Sequence, residues 1–182
     1  MTPPAEVVEW LANRYPKPRI DADWLQGCYN WLVDEEKLSP ALNLSAFMEG
    51  FEYQLLASDL SDSMQNNTGL QLDVRRPVTT LRGPPVLVQI VSITDIGMPA
   101  ARLDQIRVAR EEWKGSNVDT AEDKGDGYAP GIPSYPRGTL YLKLSDGTTT
   151  INAMEYRPLP QLTMGNTELG YKANINPSRH LP

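Results

Sequence analysis

The sequence predicts an α+β fold in which three short helices precede a small antiparallel sheet or barrel. Two observations lead to this prediction. Apolar residues recur at helical spacing through the first third of the chain, and two alternating segments, Leu140–Leu144 and Thr149–Met154, flank a turn that contains Asp146 and Gly147. Asp-Gly between segments of period two is a strong hairpin signal, because glycine accepts the positive φ that tight turns need.

The first helix is expected from about residue 4 to residue 15. Thr2 and Pro3 provide an N-cap and a first-turn residue, the apolar residues that follow share one helical face, and Pro16 ends the helix.

The second and third helices also have start signals. Asp21 is expected to cap the second helix and Asn43 the third, where Leu42 and Phe47 stand at the two positions of a hydrophobic staple. Together the three helices predict a compact bundle, since each has one apolar face to bury. The aromatic residues expected in its core are Trp10, Trp24, Trp31, Phe47 and Phe51.

The second part of the chain has a strand signal and a long interruption. Polar, turn-rich residues 61–71 suggest a boundary, and the β-branched run Val86–Ile93 predicts a central strand. Between this strand and the hairpin lies the insertion Gly97–Arg137, whose first part has a helical spacing of Leu103, Ile106 and Trp113. The predicted organisation is therefore a three-helix bundle over residues 1–65, a sheet domain over 70–172 with an insertion at 97–137, and an irregular tail over 173–182.

The insertion has two interpretations at this stage. Its later part is rich in Gly, Pro and Asp, and its large apolar residues are isolated from one another. It is either a disordered surface insertion or a segment that becomes ordered on a protein partner and buries its aromatic residues there.

Composition narrows the class of function. The 182 residues carry a net charge of −6, which argues against a nonspecific binder of duplex nucleic acid. No basic leader and no apolar run of membrane-spanning length is found, so we expect an intracellular protein that does not insert into a membrane. The single cysteine, Cys28, lies in the apolar stripe of the second helix and is expected to be a small buried side chain.

Residues for catalysis and for cofactors are missing. The single histidine, His180, is near the end of the chain, which removes His-based triads and His-rich metal sites. Neither a phosphate-binding loop nor a dinucleotide-binding glycine motif is found, and the carboxylates Asp34–Glu36 fit the solvent-facing end of a helix. We therefore expect a binding module with no cofactor and no enzymatic activity.

Several segments resemble a known family when taken in order. They are Trp24–Trp31, Asp95–Ala100, Leu144–Gly147 and Met154–Pro160. Over roughly residues 5–172, the chain resembles the N-terminal region of the RecQ-mediated genome instability protein 1 family.

The resemblance implies a three-helix bundle packed on an OB-fold-like antiparallel β-barrel. It further implies a nuclear, non-enzymatic subunit that binds topoisomerase III and, with it, a RecQ-family helicase, and that meets DNA only through the complex. In that family the complex dissolves double Holliday junctions, and the insertion after the first barrel strand reaches toward the topoisomerase gate. The residues assigned to partner binding on this basis are Pro99, Leu103, Ile106, Trp113, Thr120, Glu122, Tyr128, Ile132, Tyr135 and Lys172.

The chain departs from the family pattern after Lys172. The family continues with two apolar strands that close the barrel, whereas Ala173–Pro182 is polar and contains two prolines. We therefore expect an incomplete barrel. The alternative function is an OB-fold protein that binds single-stranded nucleic acid directly, with Tyr141 and Tyr156 as candidates for base stacking.

Overall fold

The structure is a computed structural model that describes residues 2–70, 81, 83–116 and 131–176. Its elements are the helices α1 (Ala5–Arg14), α2 (Ala22–Asp34), α3 (Leu44–Ala57), α4 (Leu60–Ser63) and α5 (Ala100–Ser116), and the strands β1 (Val86–Asp95), β2 (Leu140–Ser145), β3 (Thr150–Met154) and β4 (Lys172–Ile175). The chain divides into two compact units. The first contains Met1–Ser92, Lys143–Asn152 and Leu169–Pro182, and the second contains Ile93–Leu142 and Ala153–Glu168.

Helix α1 confirms the predicted helix but not its predicted N-cap. Pro4 occupies the N-cap position without a side-chain hydrogen bond, and its carbonyl accepts from the N–H groups of Val7 and Val8. The prediction of a Thr2 cap is therefore wrong. The fixed φ of proline already suits a helix start, so the chain turns into the helix two residues later than a Thr2 cap requires.

Helices α2 and α3 begin where their cap residues predict. The Asp21 carboxylate accepts hydrogen bonds from the N–H groups of Asp23 and Trp24, at 2.9 and 3.0 Å. The Asn43 side chain accepts from Ala46 N–H at 3.1 Å. The staple predicted before α3 is wrong, because Leu42 is 89% exposed.

The core of the bundle is built around Phe47 and Phe51, which are fully buried. Their rings meet edge to face with centroids 5.3 Å apart, and Phe47 meets Tyr29 in the same way at 5.7 Å. Trp10 and Trp24 are partly buried against this cluster. Trp31 is 40% exposed, because the buried face of α2 is formed by Cys28, Tyr29 and Leu32 and Trp31 lies at its margin.

The predicted polar boundary at residues 61–71 is folded at its start. It includes the short helix α4, and Met64 forms an isolated antiparallel bridge with Ile20. Ser63, Met64 and Leu70 are buried. The local sequence is polar, so the apolar contacts that order this segment come from distant parts of the chain.

The strands form a four-stranded sheet in the order β3-β2-β1-β4. Strand β4 pairs antiparallel with β1, so that Val86 lies opposite Ile175 and Gln89 opposite Lys172. The predicted central strand and hairpin are confirmed. The predicted irregular tail is wrong for residues 173–175, which belong to β4. Within the described residues the sheet is open at β3 and β4, as expected for an incomplete OB-fold barrel.

One buried polar side chain links β1 to helix α4. Gln89 is 5% exposed, and its side-chain oxygen accepts from Leu60 N–H at 3.1 Å. Its side-chain N–H donates to the Asp59 carboxylate at 2.9 Å. Because both ends of the amide are paired, this position can be polar inside the first unit at little cost.

Candidate partner-binding insertion

The insertion begins and ends at one buried carboxylate. Asp95, at the end of β1, is 2% exposed. One of its oxygens accepts from Gly97 N–H at 2.8 Å, and the other accepts from Gly138 N–H at 2.5 Å. Ile96 N–H also donates to the carbonyl of Thr139 at 2.9 Å. We call these residues the neck of the insertion.

Glycine at position 138 is required by the neck. A Cβ placed on Gly138 would overlap the Asp95 carboxylate, so any larger residue would push the carboxylate away from the two N–H groups. A carboxylate that accepts backbone N–H groups in a buried site fixes both chain directions at that point. The outgoing limb of the insertion, which begins at Gly97, and the returning limb, which ends at Arg137, are therefore held side by side.

Helix α5 confirms the helical spacing of the outgoing limb. The carbonyl of Pro99 accepts from the N–H groups of Arg102 and Leu103 at the start of the helix. Leu103 and Ile106 are 9% and 7% exposed, so these two assigned partner residues are already buried within the chain. Pro99 is exposed.

The returning limb is held on α5 by one arginine. Arg110 donates from Nη1 to the carbonyl of Pro133 at 2.9 Å and from Nη2 to the carbonyl of Gly165 at 2.8 Å. Its guanidinium lies 5.3 Å from the ring centroid of Tyr135, a cation–π distance. We call Arg110, its two carbonyl partners and the Tyr135 ring the Arg110 clamp.

The other assigned residues divide into two groups. Trp113 and Ile132 are partly buried, and Trp113 approaches the position where a Cβ on Gly131 would stand, at 3.2 Å from its Nε1. Tyr135 is partly buried in the clamp. Thr120, Glu122 and Tyr128 lie outside the described residues.

An ion pair with a buried carboxylate and a partly exposed guanidinium joins the end of the returning limb to the chain after β3. Arg137 donates two hydrogen bonds to the Glu155 carboxylate, at 2.6 and 2.7 Å. The Glu155 side chain is 3% exposed and also accepts from Leu140 N–H at 2.9 Å. The hydrogen bonds from Arg137 lower the pKa of the Glu155 carboxyl to about 2, against the opposing effect of burial.

Lys172 lies apart from the insertion, in the first unit. It is partly buried at the start of β4, and its Nζ donates to the carbonyl of Gly170 at 2.9 Å. Burial lowers the pKa of its ammonium group, while the negative charge of Asp59 opposes that change. Its contact with a partner stays a prediction.

The residues that hold the insertion in place were not among the predicted site residues. Asp95 followed two positions later by Gly97 is a local signal for a side-chain-to-backbone turn. The hydrogen bond between these two residues could therefore have been predicted. Arg110 lies between Ile106 and Trp113 on the apolar face of α5, and a basic residue on a face that packs is a signal of a specific partner. The pairing of Arg137 with Glu155 has no local signal, because it joins residues from different parts of the chain.

Two features are absent from the residues that the structure describes. It contains no group of three or more His, Cys, Asp or Glu side chains placed to hold a metal ion. Among the same residues, no helix combines the length and the apolar character needed to cross a bilayer.

A helical bundle followed by an open antiparallel sheet, with an anchored insertion after the first strand, defines a bundle-plus-OB-fold protein. The family model for the RMI1 N-terminal OB-fold domain matches residues 57–180, and the model for the RMI1 N-terminal helical domain matches residues 11–63. The chain therefore belongs to the RMI1 family, as the sequence resemblance predicted.

Curated relatives named RecQ-mediated genome instability protein 1 agree with this family. The Mus musculus protein is 31% identical over 160 residues, which cover 87% of this chain and 24% of the relative. The Xenopus laevis protein is 26% identical over 166 residues, covering 86% of this chain and 26% of the relative. The Danio rerio protein is 27% identical over 154 residues, which cover 84% of this chain and 28% of the relative. The chain thus spans about a quarter of the length of these relatives.

Proposed function

We propose that this chain is a non-catalytic, nuclear accessory subunit of a RecQ helicase–topoisomerase III complex. In this proposal it binds topoisomerase III through the insertion and promotes decatenation and the dissolution of double Holliday junctions. It contacts DNA only through the complex. Membership of the RMI1 family supports the genome-maintenance role, and the name of its relatives supports the link to a RecQ helicase.

The observation that favours binding through the insertion is its anchorage at three places. The neck, the Arg110 clamp and the pair of Arg137 with Glu155 hold the described parts of both limbs. A protrusion on a fixed base loses less conformational freedom when it binds than a free loop does. A subunit without catalytic groups changes a strand-passing enzyme if it binds one gate conformation more tightly than another.

The test replaces residues 117–130 with the same number of Gly and Ser residues. This change keeps the chain length, helix α5 and the whole Arg110 clamp. We expect the variant to lose most of its affinity for topoisomerase III, measured by titration calorimetry, and to lose stimulation of decatenation. Its circular dichroism spectrum and unfolding midpoint should match those of the unmodified chain. Undiminished binding by a folded variant would count against the insertion as the binding element.

One observation favours the alternative, direct binding of single-stranded nucleic acid. Tyr156 is 93% exposed, and the Arg157 guanidinium lies 5.9 Å from its ring centroid. An exposed aromatic ring beside a cation suits base stacking. A salt titration of oligonucleotide binding decides the matter. Micromolar or tighter affinity that falls steeply with salt and is lost in Tyr156→Ala would support the alternative.

A further inference from the structure

We propose that Arg110 is a positioning residue for partner binding, which holds the returning limb of the insertion in its binding conformation before the partner arrives. This inference rests on the proposed function, because it assigns a role to a residue that supports the binding element. The observation behind it is the Arg110 clamp, in which one side chain meets a backbone carbonyl of the limb, the carbonyl of Gly165 and the Tyr135 ring.

The geometry of the clamp requires arginine. The two hydrogen bonds leave from different guanidinium nitrogens toward two segments that are far apart in sequence, Pro133 and Gly165. A lysine ammonium is a compact charge on a flexible stem and lacks the planar fork that spans two fixed acceptors. The guanidinium also lies within cation–π range of the Tyr135 ring, 5.3 Å from its centroid. We therefore expect lysine at this position to recover little of the function.

Gly165 lies against both the Tyr135 ring and the Arg110 guanidinium. Its φ is +85°, in the left-handed region that favours glycine, and a Cβ there would stand 2.6 Å from Cε2 of Tyr135. The same Cβ would stand 3.4 Å from Cζ of Arg110, so the Tyr135 ring and the Arg110 guanidinium both lie against this glycine. Gly165→Ala should displace the Tyr135 ring and press on the Arg110 guanidinium, which opens the clamp while the Arg110 side chain is kept.

The same helix offers a matched control. Arg107 is exposed and bonds Asp104 and Glu111, which lie three and four positions away on α5 itself. Arg107→Ala removes the same charge as Arg110→Ala but leaves the returning limb untouched. A general effect of charge on the association with the partner would appear equally in both variants.

The experiment measures binding kinetics of the full chain to immobilised topoisomerase III. If the unclamped limb is in its binding conformation only a fraction of the time, the apparent affinity falls by that fraction and the association rate falls with it. We expect about a tenfold lower association rate for Arg110→Ala, Arg110→Lys and Gly165→Ala, with an unchanged dissociation rate, because the bound contacts are the same. Arg107→Ala should match the unmodified chain.

Hydrogen exchange of the free chain provides a readout that does not depend on the partner. Exchange of the backbone amides of Gly131, Ile132, Ser134 and Tyr135 should become faster in Arg110→Ala and Gly165→Ala, while exchange in α1, α2 and α3 stays the same. Unchanged exchange in these variants would overturn the clamp. An association rate equal to that of the unmodified chain, or a loss confined to the dissociation rate, would overturn the positioning role while the proposed function stands. Failure of the unmodified chain to bind topoisomerase III would refute both the positioning role and the proposed function.

Discussion

Two buried carboxylates, Asp95 and Glu155, hold the base of the insertion by accepting N–H groups. Glu155 receives a bidentate arginine and the N–H of Leu140, so its charge is compensated although its side chain is 3% exposed. A buried charge of this kind is stable only while its partners remain, and removing one partner leaves the other group unpaired. Substitutions of these two residues should therefore have large effects on the free energy of unfolding.

Glu155→Gln should lower the free energy of unfolding by about 1–3 kcal/mol at neutral pH, because the amide cannot accept both hydrogen bonds from Arg137. The folded-state pKa of Glu155 is lowered from 4.5 to about 2, so its stabilising effect is present above pH 4.5 and is lost as the pH falls toward 2. Urea unfolding of both proteins between these pH values measures the effect. A stability difference that stays constant across this range would contradict the assignment.

Cys28 offers a second residue-scale prediction. It is 9% exposed, and burial raises the pKa of its thiol to about 12. Since the thiolate is the reactive form, the folded chain should react with a thiol reagent at pH 8 at least about a hundredfold more slowly than the urea-unfolded chain. Cys28 is the single cysteine, so the signal has one source. Equal rates in the two states would show that the α2 core position is open to solvent.

At the scale of elements, the hairpin turn packs on helix α4 in the first unit. The Asp146 carboxylate accepts from the N–H groups of Leu70, Thr148 and Thr149, which fixes the turn from inside and ties it to residue 70. Gly147, with φ +97°, lies against the carbonyl of Leu60, and a Cβ there would overlap that backbone oxygen. Both the conformation and the close approach therefore require glycine.

Gly147→Ala should lower the free energy of unfolding by about 2–4 kcal/mol, from left-handed strain and from the overlap with Leu60. Gly170→Ala is the matched control. Gly170 has a similar φ of +91° but no atom within 4 Å of an added Cβ, so its cost should be about 1 kcal/mol. Thermal unfolding of both variants gives the comparison. Equal costs would mean that the turn does not pack closely on α4.

Local elements were the predictable part of this fold. The caps at Asp21 and Asn43 and the hairpin around Gly147 depend on residues within a few positions, so the sequence alone sufficed. The contact of α4 with Gln89, the pair of Arg137 with Glu155 and the Arg110 clamp depend on groups that are distant in sequence. Pattern rules do not identify such partners, which explains why the anchors of the candidate site were missed while its helix was found.

At the scale of the whole molecule, the sheet order β3-β2-β1-β4 leaves β3 at one edge of the described sheet. Glu155 N–H donates to the carbonyl of Leu140, and Asp146 N–H donates to the carbonyl of Thr149. By alternation, Ile151 and Ala153 bond to β2, and the backbone groups of Asn152 point away from it. An edge of this kind is a template for pairing with another chain.

We expect the isolated chain to associate with itself as its concentration rises, measured by sedimentation velocity. Asn152→Lys should reduce this association several-fold, because a lysine on an edge strand opposes strand pairing. Asn13→Lys on the exposed surface of α1 changes the charge equally and serves as the control. The same reduction in both variants would point to net charge, and no reduction in either would exclude β3 as the contact.

The neck at Asp95 has a consequence for how this protein can change. Gly97 and Gly138 donate to a single carboxylate, so the distance between the two limbs at the neck is fixed whatever the length of the insertion. Lengthening a closed loop costs little free energy, since the closure entropy grows only with the logarithm of its length. The part of the insertion beyond both the neck and the Arg110 clamp can therefore be exchanged or redesigned for a new recipient while these anchors are kept.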